Sequence, residues 1–191
     1  EIKGPPFFLC VCTVDPRKNH RILYDAWILL ARKLGDKCPK LIMVGFNSLL
    51  CNDLLYAIKM DTEVNHFINV KHNVSDEELV FYYKNCLATI FPSHYEGWGL
   101  PVAESLGYGK ICISSNASSM VEIAPSLTEF FDPFNPYELV NLIEKCMFDE
   151  SWRINREKEI GDNFVPTDWT DTSNEVLNLI KREISKKNYS R

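Results

Sequence analysis

Two carboxylates, Glu96 and Glu104, bracket the run Glu96-Gly-Trp-Gly-Leu-Pro-Val-Ala-Glu104, which follows the apolar stretch Ala88-Thr-Ile-Phe-Pro92. A strand leading through a glycine-rich turn into a helix is a place to hold a ligand. Gly97 and Gly99 allow close backbone approach, and Pro101 suits a first helical turn, where its missing N–H costs nothing. The free amides of that helix start favour an anion such as a diphosphate. Glu96 and Glu104 are themselves anions and accept only, so they suit hydroxyls of a sugar or ribose. Carboxylates beside an anion cradle point to a nucleotide sugar.

Further candidates lie in other loops. Val14-Asp-Pro-Arg-Lys-Asn19 follows the first apolar run and carries Arg17 and Lys18, cations able to neutralise a diphosphate, or equally a solvated surface pair. In Gly45-Phe-Asn-Ser48, Gly45 permits a tight exit from a strand. In Lys71-His-Asn-Val74, backbone amides and Val74 could meet a nucleobase edge, with an ordinary loop as the plainer reading.

The elements that position these loops follow from hydrophobic periodicity. Short apolar runs alternate with helix-period segments, as in a parallel sheet covered on both faces. Strands are expected at Phe7–Thr13, Lys40–Gly45, His66–Val70, Ala88–Phe91, Lys110–Ser114 and Thr128–Phe131. A first helix carries Leu23, Ala26, Trp27, Leu30 and Leu34, with Asn19 as its cap and Gly35 and Pro39 as its end. Ser75-Asp-Glu-Glu78 is a capping box ahead of Leu79, Val80 and Tyr83. Asn135-Pro136 opens a helix with Leu139, Val140, Ile143 and Met147, and a final helix from about Asp171 carries Val176, Leu177, Ile180 and Ile184. Periodicity is poor from Trp152 to Thr167. The expected architecture is a doubly wound, Rossmann-like α/β domain of about six strands, with ligands at the strands' carboxyl ends.

Composition narrows the function. The chain has 191 residues, 46% hydrophobic and 25% charged, enough for a full core. Its net charge of −5 argues against general nucleic-acid binding. No apolar run approaches 18 residues. Seven cysteines, 10, 12, 38, 51, 86, 112 and 146, form no C-x-x-C pair, which suggests a reducing compartment. Cys10 and Cys12 share one face of a strand and read as small core residues, and the four histidines show no ligand spacing, so no metal and no cofactor is expected.

Taken in order, these motifs resemble those of the family-four glycosyltransferases, retaining enzymes of the GT-B fold. The E-x7-E motif is matched by Glu96 and Glu104 with Gly97, Gly99, Leu100 and Pro101. Further matches are Pro16-Arg-Lys-Asn19, Leu41-Ile-Met-Val-Gly45, Val74-Ser-Asp-Glu-Glu-Leu79, Phe91-Pro-Ser93, Gly109, Ser114-Ser-Asn-Ala-Ser-Ser119, Glu122, Phe131-Asp-Pro133 and Trp169. The resemblance implies that Glu96 binds hydroxyls of the donor sugar, Glu104 the ribose hydroxyls, the Gly99 and Leu100 amides the diphosphate, and Lys18 is the main phosphate cation. Many relatives carry glycine then arginine where this chain has Cys12 and Thr13; Arg17 either compensates or faces solvent. Ser118 and Ser119 belong to the family's loop after the fifth strand, with shaping of that loop as their plainer role.

The same resemblance implies that the chain is one half of the enzyme. It divides into a linker over residues 1–6, a donor-binding domain over 7–168, and a C-terminal helix and tail over 169–191. Glu96 and Lys18 would be donor-side catalytic contributors, with turnover requiring an N-terminal half that supplies the saccharide or lipid-linked acceptor. The donor would be a GDP-, UDP- or dTDP-linked sugar, and GDP-mannose or an activated rhamnose fits relatives that build capsules or O-antigens. The expected location is cytoplasmic, with peripheral contact at the inner face of the membrane open to the full-length enzyme. Two other readings are a nucleotide-sugar 2-epimerase-like isomerase, marked by epimerisation without acceptor, and a non-catalytic sugar-nucleotide-binding module.

Overall fold

The computed structural model describes residues 6–46 and 48–188. The linker expected over residues 1–6 therefore lies, apart from Pro6, outside the described residues. Six strands form one parallel sheet: β1 (Phe7–Val11), β2 (Lys40–Val44), β3 (Ile68–Lys71), β4 (Thr89–Phe91), β5 (Cys112–Ser115) and β6 (Glu129–Phe131). Their order is β3-β2-β1-β4-β5-β6, so the winding reverses between β1 and β4. Ligands of doubly wound sheets bind in the crevice at that reversal.

Strand alternation explains how the sheet is covered on both faces. Phe8 and Cys10 of β1, with Leu41 and Met43 of β2, join the main core, where α1 (His20–Leu34) contributes Leu23, Ala26, Trp27 and Leu30. The intervening Phe7, Leu9 and Val44 face a second cluster with Tyr82, Tyr83 and Cys86, from and just after α3 (Asp76–Asn85). Each large side chain so buried contributes about 1.5–3 kcal/mol. Trp27 is buried without loss of a polar group, because its indole N–H donates to the Pro39 carbonyl at 2.9 Å.

The expected strands all form, with shifted ends. β1 stops at Val11 and β3 starts at Ile68, two residues after His66. Besides α4 (Leu100–Gly107) and α5 (Pro136–Phe148), two helices form that the sequence reading does not assign: α2 (Asn52–Met60) and α6 (Glu150–Asn163). Each is anchored by one buried residue, Ile58 and Ile160 respectively, with Leu54 and Leu55 in α2 and Trp152 in α6 packed part-buried beside it. The last helix, α7 (Trp169–Asn188), leaves Val176, Leu177, Ile180 and Ile184 about half exposed.

Caps follow the sequence with one correction. Ser75 accepts from the Glu78 amide at 3.2 Å and Asn135 from the Tyr137 amide at 3.1 Å. Asn19 does not cap α1 through its side chain. It lies in the left-handed region at φ 53°, and its amide donates instead to the Pro133 carbonyl at 2.9 Å, tying the β1 loop to the turn after β6. Gly45 has a stricter role than a tight exit: a Cβ there would lie 2.1 Å from the Cys12 carbonyl oxygen, so β1 and β2 leave the sheet in backbone contact.

Candidate functional site

The β1 loop and the β4 loop meet at the winding reversal. After β1, Asp15 caps a single 3-10 turn, Pro16–Lys18, by accepting from the Arg17 amide at 3.0 Å. After β4, Pro92 and the following residues carry the chain to Glu96, and the His94 amide donates to the Arg17 carbonyl at 2.9 Å. These local structures deliver two cations and a carboxylate to one place. Lys18 Nζ lies 2.5 Å from Glu96 Oε1, and Arg17 Nη1 lies 3.2 Å from Oε2 and 3.1 Å from the Tyr95 carbonyl. Lys18 also stands 5.3 Å from the centre of the Phe91 ring.

Glu96 is only 8% exposed. A buried carboxylate needs partners, and here the cations are the same side chains that the sequence reserved for phosphate. Arg17 therefore joins the cluster rather than pointing away from it. The sequence treated Glu96 and Lys18 as separate ligand contacts; in the structure they are already paired. An incoming anion would share Lys18 with Glu96.

The loop between Glu96 and α4 is held by hydroxyls. Ser118 Oγ donates to the Glu96 carbonyl at 2.8 Å, and Ser119 Oγ lies 3.0 Å from the carbonyl oxygens of both Glu96 and Trp98. Ser118 reaches this position from a left-handed backbone at φ 53°. Gly99 forms the N-cap of α4 at φ 103°, with Ile123 Cδ1 3.0 Å from where a Cβ would stand, so protein packing as well as torsion demands glycine. A Cβ on Gly97 would meet nothing within 4 Å. At the start of α4 Pro101 has no N–H and the Val102 amide donates to the Gly99 carbonyl at 3.0 Å, so of the first three helix positions only the Leu100 amide is left without an intrahelical partner.

Glu104, one turn into α4, has different company. Its Oε2 accepts from the Tyr83 phenol at 2.8 Å, and the Tyr83 ring stacks on Tyr108 with centroids 4.8 Å apart. Burial pushes the Tyr83 phenol well above its usual range, and the Glu104 carboxylate adds to the shift, so Tyr83 stays a donor at any physiological pH. Glu104 itself is exposed. Val74 is half-buried against the second core cluster, where it packs as well as edges its loop. A cleft of about 560 Å³ adjoins the motif loop, lined by Trp98, Ala103, Ser119, Ile123 and Phe164, but Lys18, Glu96 and Glu104 do not line it.

Sequence spacing missed two features. Tyr83 reads as one more residue of a helical face, and its link to Glu104 crosses 21 positions. The other is a cluster formed by Cys10, Cys12 and His20, in which Cys12 Sγ lies 3.5 Å from His20 Nε2. Hydrogen bonding from the Cys10 thiol, opposed by burial but reinforced by His20 and Lys18, lowers the Cys12 thiol to about 5, while Cys10 is raised.

Residues 1–164 match the family model described as glycosyl transferases group 1. An O-antigen chain mannosyltransferase B of Escherichia coli is 30% identical over 147 residues, 77% of this chain and 38% of that protein. Thus the chain spans about two fifths of that relative's length. Among solved structures, an α,α-trehalose 6-phosphate synthase from Burkholderia multivorans shares the fold with a TM-score of 0.79 at 11% identity, over 98% of this chain and 45% of that one. The C-terminal domain of a group 1 glycosyl transferase (LpcC) from Francisella tularensis gives 0.71 at 16% identity, covering 84% and 85%. The chain belongs to the group 1 glycosyltransferases. Its six-stranded parallel sheet is the Rossmann-like layer shared with these GT-B neighbours.

Proposed function

We propose that this chain is the donor-binding half of a retaining hexosyltransferase, which moves a sugar from a nucleoside diphosphate to a saccharide acceptor in polysaccharide synthesis. The observation that carries the reading is the convergence of Arg17, Lys18 and Glu96 at the winding reversal. Cations and the free amides of α4 would take the diphosphate, Glu96 the sugar hydroxyls, and Glu104 the ribose. Val74 would edge the base. As charge develops on the departing diphosphate, Lys18 and the Gly99 and Leu100 amides stabilise it, the largest contribution available from this half. No residue in the cluster is placed as a general base, in keeping with front-face attack assisted by the leaving group.

The mannosyltransferase relative makes GDP-mannose the first donor to try. No helix among the described residues is long and apolar enough to cross a membrane. Acceptor binding and turnover are assigned to an N-terminal half, so the chain alone should bind donor without transferring sugar. The test is thermal unfolding with GDP, UDP and dTDP, then the sugar conjugates of the best binder. A ligand at 100 times its Kd should stabilise the fold by about 2.7 kcal/mol. Absence of any shift with all three nucleotides at millimolar concentration would overturn the proposal.

A further inference from the structure

We infer that Cys10, Cys12 and His20 form a binding site for a thiophilic divalent cation of the zinc class, a role outside the proposed sugar transfer and contrary to the metal-free reading of the sequence. Cys10 lies in β1 and Cys12 is the first residue past its end, where its amide still donates to the Val44 carbonyl, so the extended alternation turns both thiols to one face. His20 begins α1, whose first turn folds back over the end of that strand. The spacing hides the site because the third side chain arrives through the loop and helix start rather than from the strand.

The separations fit one tetrahedral ion. Zinc bonds of about 2.3 Å to sulfur and about 2.0–2.1 Å to nitrogen place tetrahedral corners about 3.8 Å apart for two sulfurs and about 3.5–3.6 Å for sulfur and nitrogen. The observed Sγ–Sγ distance is 3.7 Å, Cys12 Sγ to His20 Nε2 is 3.5 Å, and Cys10 Sγ to Nε2 is 3.9 Å. A small rotation of the imidazole closes the last of these. Three ligands of borderline-soft type leave a fourth corner for water.

Charge and access agree with the geometry. Two thiolates and a divalent ion sum to zero, so the site buries no net charge. Cys10 and His20 are buried, while Cys12 is half-buried at the carboxyl end of β1 and offers the route in. His20 Nδ1 is buried without a hydrogen-bond partner among the described residues. Metal-bound histidines usually have such an outer partner, and its lack places this site below closed four-ligand centres in affinity.

The test is titration of the reduced, chelator-treated chain with Cd(II) and with Zn(II). Cadmium should produce a thiolate charge-transfer absorption that saturates at one ion per chain, and zinc should displace it. Cys12→Ala and His20→Asn should each weaken cadmium binding by more than about 100-fold, beyond the effect usual for outer-shell changes. No saturable absorption in the wild-type chain, or unchanged affinity in both variants, would overturn the site. Should either variant fail to fold, iodoacetamide labelling of the wild-type chain decides: zinc should slow alkylation of Cys12 at least tenfold, and unprotected labelling would reject the proposal. GDP binding is read separately, so neither proposal stands or falls with the other.

Discussion

Glu96 and Glu104 belong to one motif and live in opposite surroundings. Glu96 is buried between a lysine and an arginine, with its main chain held by two serines. Glu104 stands exposed on α4 with the Tyr83 phenol on one oxygen. The first is part of the scaffold as well as a proposed ligand contact; the second is tied to the core beneath it through the Tyr83 hydroxyl alone. A motif position is thus not a single kind of constraint, and stability and binding measurements should separate the two acids.

The largest expected effect comes from removing the lysine paired with Glu96. Lys18→Ala should weaken both nucleoside diphosphate and pyrophosphate by about 30–150-fold, the worth of a charged hydrogen bond of about 2–3 kcal/mol, measured by calorimetry. An unaltered pyrophosphate affinity would reject its phosphate role. Next, Glu96→Gln should destabilise the fold by about 1–3 kcal/mol, because Lys18 is left without its buried counter-charge. That corresponds to a fall in Tm of several degrees, whereas Glu104→Gln should shift Tm by about a degree or less. Equal shifts would erase the distinction.

Binding should reverse the ranking of stability. Glu104→Ala should cost about tenfold in nucleoside diphosphate affinity and leave pyrophosphate unchanged, and equal loss for both would remove ribose recognition from Glu104. The smallest effect belongs to Tyr83→Phe, which keeps the stacked ring and loses one hydroxyl. About 1 kcal/mol of stability and no more than about threefold in nucleotide affinity should go with it, and a larger binding loss would make the phenol a ligand contact in its own right.

The sheet was legible because each strand is a short apolar run ended by glycine, proline or a polar turn, as at Pro92 after β4. Helices α2 and α6 were not, since each meets the core through only a few apolar side chains, Leu54, Leu55 and Ile58 in the one and Trp152 and Ile160 in the other, too few to mark out a long period. For the site, residue types and spacing indicated Arg17, Lys18, Glu96 and Glu104 as candidates. Their pairing was not legible, because the Lys18–Glu96 contact spans 78 positions and depends on β1 and β4 being neighbours. Tyr83 and His20 escaped for the same reason: an apolar or helix-start position says nothing of what crosses from another element.

The hydroxyls of Ser118 and Ser119 close on carbonyls of the Glu96 loop from outside the sheet. Their attachment uses two short side chains, each replaceable by a single substitution, while the strands below are fixed by ladder and core. Substitution at these two positions should therefore loosen the hold on the Glu96 loop while the strands beneath keep their pairing.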